Sequence, residues 1–351
     1  MDTRIIIFIL VFLYYLFLGE KRNNPKAKNK LVWFSCALLI LQSGLRHVEV
    51  GADTIGYYSG FMNTMKMGWS ELLLVTSESR DPGYRIVAKA FSSIIPEWQV
   101  YLIALATLFY YAMGRLWQRY INSAEGVLLA TVLVLSLFNV IALSGIRQMI
   151  TMSISMLLIP YIEQKKWKVV VPVLLLGSFI HLSILFVFAF IPLQYIKKGK
   201  YKMLIGLAII MIPIVIVYAR TIVGFMAMQT ENEYYMGYAE TVNEAKPYAY
   251  IALCSIISLF LFINYKSLKN APTFFSSALV LMTLSFPLII QDGTMIRIGQ
   301  YFTIYIMLSI PLVLDGKQSK NLFYFGMISV LLLFMLNSKF DYHFFWENVV
   351  K

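Results

Sequence analysis

Apolar runs near the length of a membrane-spanning helix, about 20 residues, recur from Arg4 to Leu336 with only short polar connectors between them. They fall at 4–19, 31–45, 98–114, 127–143, 147–162, 169–181, 183–196, 203–219, 248–265, 271–291, 296–314 and 322–337. The pattern predicts an all-α, polytopic integral membrane protein of about twelve crossings, built as a single transmembrane domain over residues 1–351. One run decides the count. Residues 169–196 are long enough for one tilted helix, or for two short crossings that form a hairpin around His181. Only the split puts the connectors 20–30, 115–125, 163–168, 197–202, 266–270 and 315–321 on one side. These hold 18 of the 30 Lys and Arg against four acids, Glu20, Glu125, Glu163 and Asp315. The opposite face keeps 12 basic and 14 acidic residues. Cytoplasmic loops retain Lys and Arg, so the basic connectors are read as cytoplasmic and both termini as external. The run Ile5–Leu18 is followed by basic residues without a small-residue cleavage pattern, and is read as a retained helix rather than a signal peptide.

Two external segments exceed the usual connector length, 46–97 and 220–247, and loops beyond about 12–15 residues are commonly lids or binding loops. Within the first, Ile86, Val87, Ala90, Phe91, Ile94 and Ile95 recur near helical spacing, which predicts a helix lying at the membrane surface. The second is acidic and tyrosine-rich, with Glu231, Glu233, Tyr234, Tyr235, Tyr238, Glu240 and Glu244.

Composition agrees with this pattern. The chain is 59% hydrophobic and 14% charged with a mean hydropathy of +0.71, beyond what a soluble core buries. The net charge of +12 reports topology rather than nucleic-acid binding. Cys36 and Cys254 both sit in apolar runs, so a disulfide framework and thiolate metal chemistry are excluded.

The remaining charged and polar residues cluster on the external face. Arg46 is followed by Gly51, Ala52, Asp53, Thr54 and Tyr57, where glycine permits a tight turn and Asp53 either caps a helix or serves as a base or sugar acceptor. Arg46 either snorkels to headgroups or binds substrate. Asp81-Pro82-Gly83-Tyr84 reads as a turn opening a helix. Arg147 and Gln148 follow Ser144-Gly145-Ile146 in a connector of a few residues. A cation at a helix N-terminus opposes the helix dipole, so another group must hold Arg147 there, and a guanidinium beside free backbone N–H groups suits a diphosphate. His181 lies in an apolar run, where ionisable groups face a bundle interior or a wet cavity. Arg297, after Asp292-Gly293-Thr294, repeats the Arg147 arrangement. It either pairs with Asp292 or adds a second guanidinium for the same anion.

Taken in order, Arg46, Gly-x-Asp-Thr-x-x-Tyr at 51–57, Asp81-Pro-Gly-Tyr, Ile146-Arg147-Gln148 and Phe179-x-His181-x-Ser183 resemble the EpsG family, itself similar to Wzy-type polymerases of O-antigen, capsule and exopolysaccharide. That family often carries Glu where this chain has Asp81. The resemblance implies a GT-C-like glycosyltransferase of the bacterial inner (cytoplasmic) membrane. It would join undecaprenyl-diphosphate-linked oligosaccharide repeat units on the periplasmic or outer side, with lipid diphosphate as the leaving group. No nucleotide sugar, cofactor or metal is called for, and a chain-length regulator is the partner to look for besides membrane lipid. On that reading Asp53 or His181 is the catalytic base, with Asp53 preferred. Arg46, Arg147 and Arg297 hold the diphosphate, and Thr54, Tyr57, Asp81, Tyr84 and Gln148 contact substrate. Two rival classes remain: a flippase or transporter of the lipid-linked saccharide, and a membrane O-acyltransferase that modifies the polysaccharide.

Overall fold

A computed structural model of the chain describes residues 2–77, 81–196, 201–228, 248–268, 271–317, 319–338 and 340–347. Among these, the regular structure is helical apart from one isolated antiparallel bridge between Arg46 and Phe344. The helices are α1 (Thr3–Leu18), α2 (Pro25–Gly44), three short ones within 46–97, α3 (Thr54–Lys66), α4 (Trp69–Ser77) and α5 (Pro82–Ser92), and α6 (Trp98–Tyr120). Next, α7 (Ala124–Leu133) continues through a π turn, Val134–Phe138, into α8 (Asn139–Ser144), followed by α9 (Ile146–Glu163) and α10 (Trp167–Ser178). A 3-10 segment, Leu182–Ala189, leads to α11 (Phe190–Leu193). The chain ends with α12 (Tyr201–Met228), α13 (Tyr248–Ile263), α14 (Thr273–Gln291), α15 (Ile296–Asp315) and α16 (Lys320–Asn337).

Local chemistry sets several of these starts. Asp2, Asn24 and Ser123 each accept a backbone N–H of the first turn, at 2.8, 2.8 and 3.1 Å, which satisfies donors that a helix start leaves open. Pro25 and Pro82 occupy first-turn positions, where a missing N–H costs nothing. Among the described residues, five helices are long and apolar enough to cross a membrane: Thr3–Arg22, Trp98–Tyr120, Thr273–Gln291, Ile296–Asp315 and Lys320–Asn337. Five shorter apolar helices accompany them. The 169–196 run is interrupted: α10 stops at Ser178, and His181 sits in the break before the 3-10 segment. The 84–95 stretch is helical over most of its length. It buries Tyr84, Ala88 and Ser92 and leaves Ile86, Ala90, Ile94 and Ile95 exposed, an outer face fit for lipid.

The chain divides into two compact units, one of Met1–Leu158, Leu175–Ile184 and Leu314–Lys351, the other of Ile159–Leu174 and Leu185–Val313. In the first, α2 and α6 pack along their lengths. A side chain at Gly44 would come within 2.9 Å of Ile103, and one at Gly114 within 2.8 Å of Trp33, so two small residues permit the close approach that apolar helices need.

The ends of this unit sort by chemistry. At one end, Lys28 Nζ donates to the carbonyls of Gln118 and Ile121 (3.1 and 2.7 Å), a cation at a helix C-terminus where the dipole favours it. There too, Glu125 accepts from Tyr15 (2.9 Å) and faces Arg22 (3.5 Å), while Tyr324 bonds Asp315 (2.9 Å) and Ser123 (3.3 Å). At the other end, Gln42 reaches Thr3 (2.9 Å), Arg4 reaches Ser338 (2.8 Å), and Ala52 N–H donates to Ser144 (3.1 Å). The basic connectors of this unit therefore share one end, and the beginning of α1, the end of α16 and the Arg46 segment share the other.

In the second unit, Ala208 of α12 and Val280 of α14 form a core with Leu193, Ile196 and Leu284 packed on it. Tyr250 of α13 bonds Thr303 of α15 at 2.8 Å. The acidic and tyrosine positions from Glu231 to Glu244 lie outside the described residues.

Candidate active site

The site in the first unit begins with a loop stitched to the end of α8. Gly51 adopts a φ of +97°, and a Cβ there would fall 2.4 Å from the Leu143 carbonyl oxygen. Only glycine combines that backbone angle with that approach. The Thr54 hydroxyl lies 2.8 Å from the Val50 carbonyl and 3.0 Å from that of Leu143. Thr54 is fully buried, and its hydroxyl fastens the loop. Asp53 occupies the N-cap position of α3, but its side chain accepts no capping hydrogen bond, and the residue is exposed.

Asp81 also precedes a helix without capping it through its side chain, and its surroundings differ entirely. Gly83 N–H donates to the Phe179 carbonyl at 2.9 Å, and a Cβ on Gly83 would stand 2.9 Å from the Phe179 carbonyl carbon and oxygen. This backbone contact docks the start of α5 onto the break that carries His181. Asp81 Oδ2 consequently faces two cations or potential cations. The Arg147 Nη1 donates to it, and His181 Nδ1 stands 3.7 Å away, within ion-pair reach but beyond a hydrogen bond.

Arg147 is the second residue of α9, where the helix dipole opposes its charge. Asp81 supplies the counter-charge, and Tyr57 supplies two further contacts. The Arg147 Nε donates to the Tyr57 hydroxyl at 3.2 Å, and the guanidinium carbon lies 5.5 Å from the ring centre, a cation–π distance. Tyr84 packs edge-on against Tyr57 at 5.5 Å. The Asp81 and His181 side chains are 3% and 6% exposed, while that of Arg147 is 29% exposed. The cluster is thus sealed on its carboxylate side and open on its guanidinium side. Gln148 is buried beside it in sequence.

Arg46 is fully buried. It does not reach outward as a snorkelling residue would. Its Nη1 donates to the Ser43 carbonyl oxygen, and Gln99 Nε2 donates to the Gly44 carbonyl oxygen just before it. Arg297 belongs to the second unit and is the second residue of α15, following the 3-10 turn Gly293–Met295. Asp292 before it is buried at the end of α14.

The sequence reading had not singled out the C-terminal segment. Its aromatics alternate at Phe340, Tyr342, Phe344 and Trp346, the period-two signal of an extended chain. This segment forms the bridge to Arg46, with His47 N–H donating to the His343 carbonyl at 2.8 Å and Phe345 N–H to that of Leu45 at 2.9 Å. Nor did sequence reveal that Asp81 is shared between Arg147 and His181. Among the described residues, no group of three or more His, Cys, Asp or Glu has the arrangement of a metal site.

Searches against curated proteins and against solved structures yield no match. A model of the EpsG family matches residues 29–350, a span that takes in both units and every residue of the cluster. The chain belongs to the EpsG family, a family of Wzy-like polymerase-type proteins of exopolysaccharide and O-antigen assembly.

Proposed function

We propose that this protein is a membrane glycosyltransferase that joins oligosaccharide repeat units carried on undecaprenyl diphosphate. The growing chain is released from its lipid diphosphate onto a sugar hydroxyl of the next unit, on the non-cytoplasmic face of the bacterial inner membrane. In this reading α2, α9 and the five shorter apolar helices cross with the five long ones, giving about twelve crossings in a GT-C-like arrangement with the basic connectors inside.

The observation that supports it most is the Arg147–Asp81–His181 cluster, half sealed and half open, at the end of the first unit opposite its basic connectors. The reaction breaks a bond to a diphosphate and so develops negative charge on the leaving oxygen. Arg147, held by Asp81 and Tyr57 and partly exposed, stabilises that charge, and a preorganised donor of this kind is worth more in a site that excludes water. The attacking hydroxyl must lose a proton. We assign His181, whose Nδ1 lies 3.7 Å from Asp81, the role of general base, and Asp81 favours the imidazolium that results. Asp53 lies one helical turn before Tyr57 at the start of α3. Its exposure suits contact with sugar hydroxyls better than proton abstraction. Tyr57 and Tyr84 present aromatic surface to sugar rings. Arg297 repeats the Arg147 position on a helix of the second unit, and we assign it the same task toward the same class of group.

The decisive experiment gives purified full-length protein a defined lipid-linked repeat unit. Polymer with release of undecaprenyl diphosphate supports the reading. In cells, loss of the protein should leave lipid-linked single repeats accumulating on the outer side. Repeats trapped on the cytoplasmic side would indicate a flippase, and polymer persisting without a modification would indicate an acyltransferase.

A further inference from the structure

Arg46 has an electrostatic environment that the cluster above does not explain. Two of its guanidinium nitrogens, Nε and Nη2, are buried and have no hydrogen-bond partner. The Tyr110 hydroxyl, also fully buried, is in the same condition. Among the described residues, the groups that act on the guanidinium electrostatically are the phenols of Tyr342, Tyr110 and Tyr84, with no carboxylate among them. Burial pulls the Arg46 guanidinium down to about 10, which still leaves it a cation at neutral pH. A buried charge is ordinarily paired. Here a buried fork of two unpartnered N–H groups beside a phenol suits an oxyanion, because Nε and Nη2 together match two oxygens of one phosphoryl group.

Nothing reaches a fully buried guanidinium unless a wall moves. Two walls are the packed helices α2 and α6. The third is the non-helical segment 340–347, held over Arg46 by the His47–His343 and Phe345–Leu45 backbone bonds and by the Tyr342 hydroxyl on the Gln42 carbonyl at 2.6 Å. Arg4 lies 4.5 Å from the Phe340 ring centre. On the outer side, Phe345 and Trp346 are 46% and 58% exposed. A few hydrogen bonds at the edge of the unit are the contacts most readily opened.

We propose that residues 340–347 are a strap closing an internal oxyanion seat at Arg46, and that the strap lifts to admit one phosphoryl group and closes over it. The proposal rests on the glycosyl-transfer reading only for the source of that group, the lipid-linked donor rather than a free anion.

The test uses purified full-length protein in nanodiscs, with inorganic pyrophosphate and a short-prenyl diphosphate as probes. His47→Cys with His343→Cys places two thiols across the bridge, where facing residues lie within disulfide reach. Binding should slow by about 100-fold or more in the oxidised pair and recover on reduction, as expected when entry requires the strap to open. Arg46→Gln should weaken binding by about tenfold or more. In the unmodified protein, hydrogen exchange at His47 and Phe345 should change when probe is added. Binding of the short-prenyl diphosphate assigns the seat to the donor, and binding of pyrophosphate alone assigns it to a free anion. Equal binding rates in oxidised and reduced protein overturn the strap, and absence of binding by either probe overturns the seat. If Arg46→Gln fails to fold, the oxidised and reduced forms of the double-cysteine protein carry the test. None of these measurements requires polymer, so failure of the polymerase reading shows separately in the polymer assay.

Discussion

Asp53 and Asp81 are near-twins in sequence. Both open a short helix in the segment after Arg46, and neither caps that helix with its side chain. The first is exposed, whereas the second is buried between a guanidinium and an imidazole. The difference comes from neighbours distant in sequence. The loop around Asp53 docks on Leu143 and Ser144 through Thr54 and Ala52, which leaves the carboxylate facing out. The turn at Asp81 docks on Phe179 through Gly83, which carries the carboxylate inward. A carboxylate's role in this protein follows from the backbone contact beside it rather than from its helix position.

The largest expected effect sharpens that comparison at the Asp81 partner. Arg147→Lys keeps the charge and loses the planar fork that bonds Asp81 and Tyr57 together, so turnover in the purified assay should fall by about 100-fold. Unchanged polymer at normal protein levels would remove Arg147 from the site. Next in size is Gly83→Ala. Its Cβ has backbone on the far side and must push α5 away from Phe179, so turnover should drop by about tenfold with a lowered melting temperature. The matched control is Gly60→Ala in α3, where the space is open. That change should raise stability by about 0.4–1 kcal/mol and leave turnover alone. If both glycine variants behave alike, docking on Phe179 does not distinguish the two acids. Thr54→Val should cost about 1–3 kcal/mol of stability through the buried acceptors it abandons, read by thermal unfolding, with the residual activity of the folded fraction near normal. The smallest effect belongs to Asp53→Asn, which should change turnover by less than about threefold, since an exposed carboxylate loses little when neutralised. A collapse of activity there would restore Asp53 as the base.

Much of the frame was legible before any coordinates. The interruption at His181 followed from the length of the 169–196 run and the placement of basic connectors, and α5 followed from Asp81-Pro82-Gly83 and the apolar spacing after it. The oddity of a cation at the start of α9 was also legible, and it correctly demanded a partner for Arg147. The identity of that partner was not, because Asp81 lies 66 residues away and nothing local distinguishes it from Asp53. Gly83 looked like turn chemistry, and its contact with Phe179 depends on packing that periodicity does not encode. The C-terminal aromatics carried a visible alternation, but a short segment after the last apolar run has no long-range signal that ties it to Arg46. The π turn at Val134–Phe138, which lies in the helix ending at Leu143 and Ser144, has no sequence mark among uniformly apolar residues.

The central claim is that Asp81, shared by Arg147 and His181, makes the first unit's cluster catalytic. Its most direct test is turnover of Asp81→Asn against Asp53→Asn, both purified, both given the same lipid-linked repeat unit. Arg147 is open enough for water to replace the lost partner, so the Asp81 variant should remain folded. The account predicts a loss of about 100-fold or more for Asp81→Asn beside a near-normal Asp53→Asn. Wild-type turnover by folded Asp81→Asn protein would contradict it.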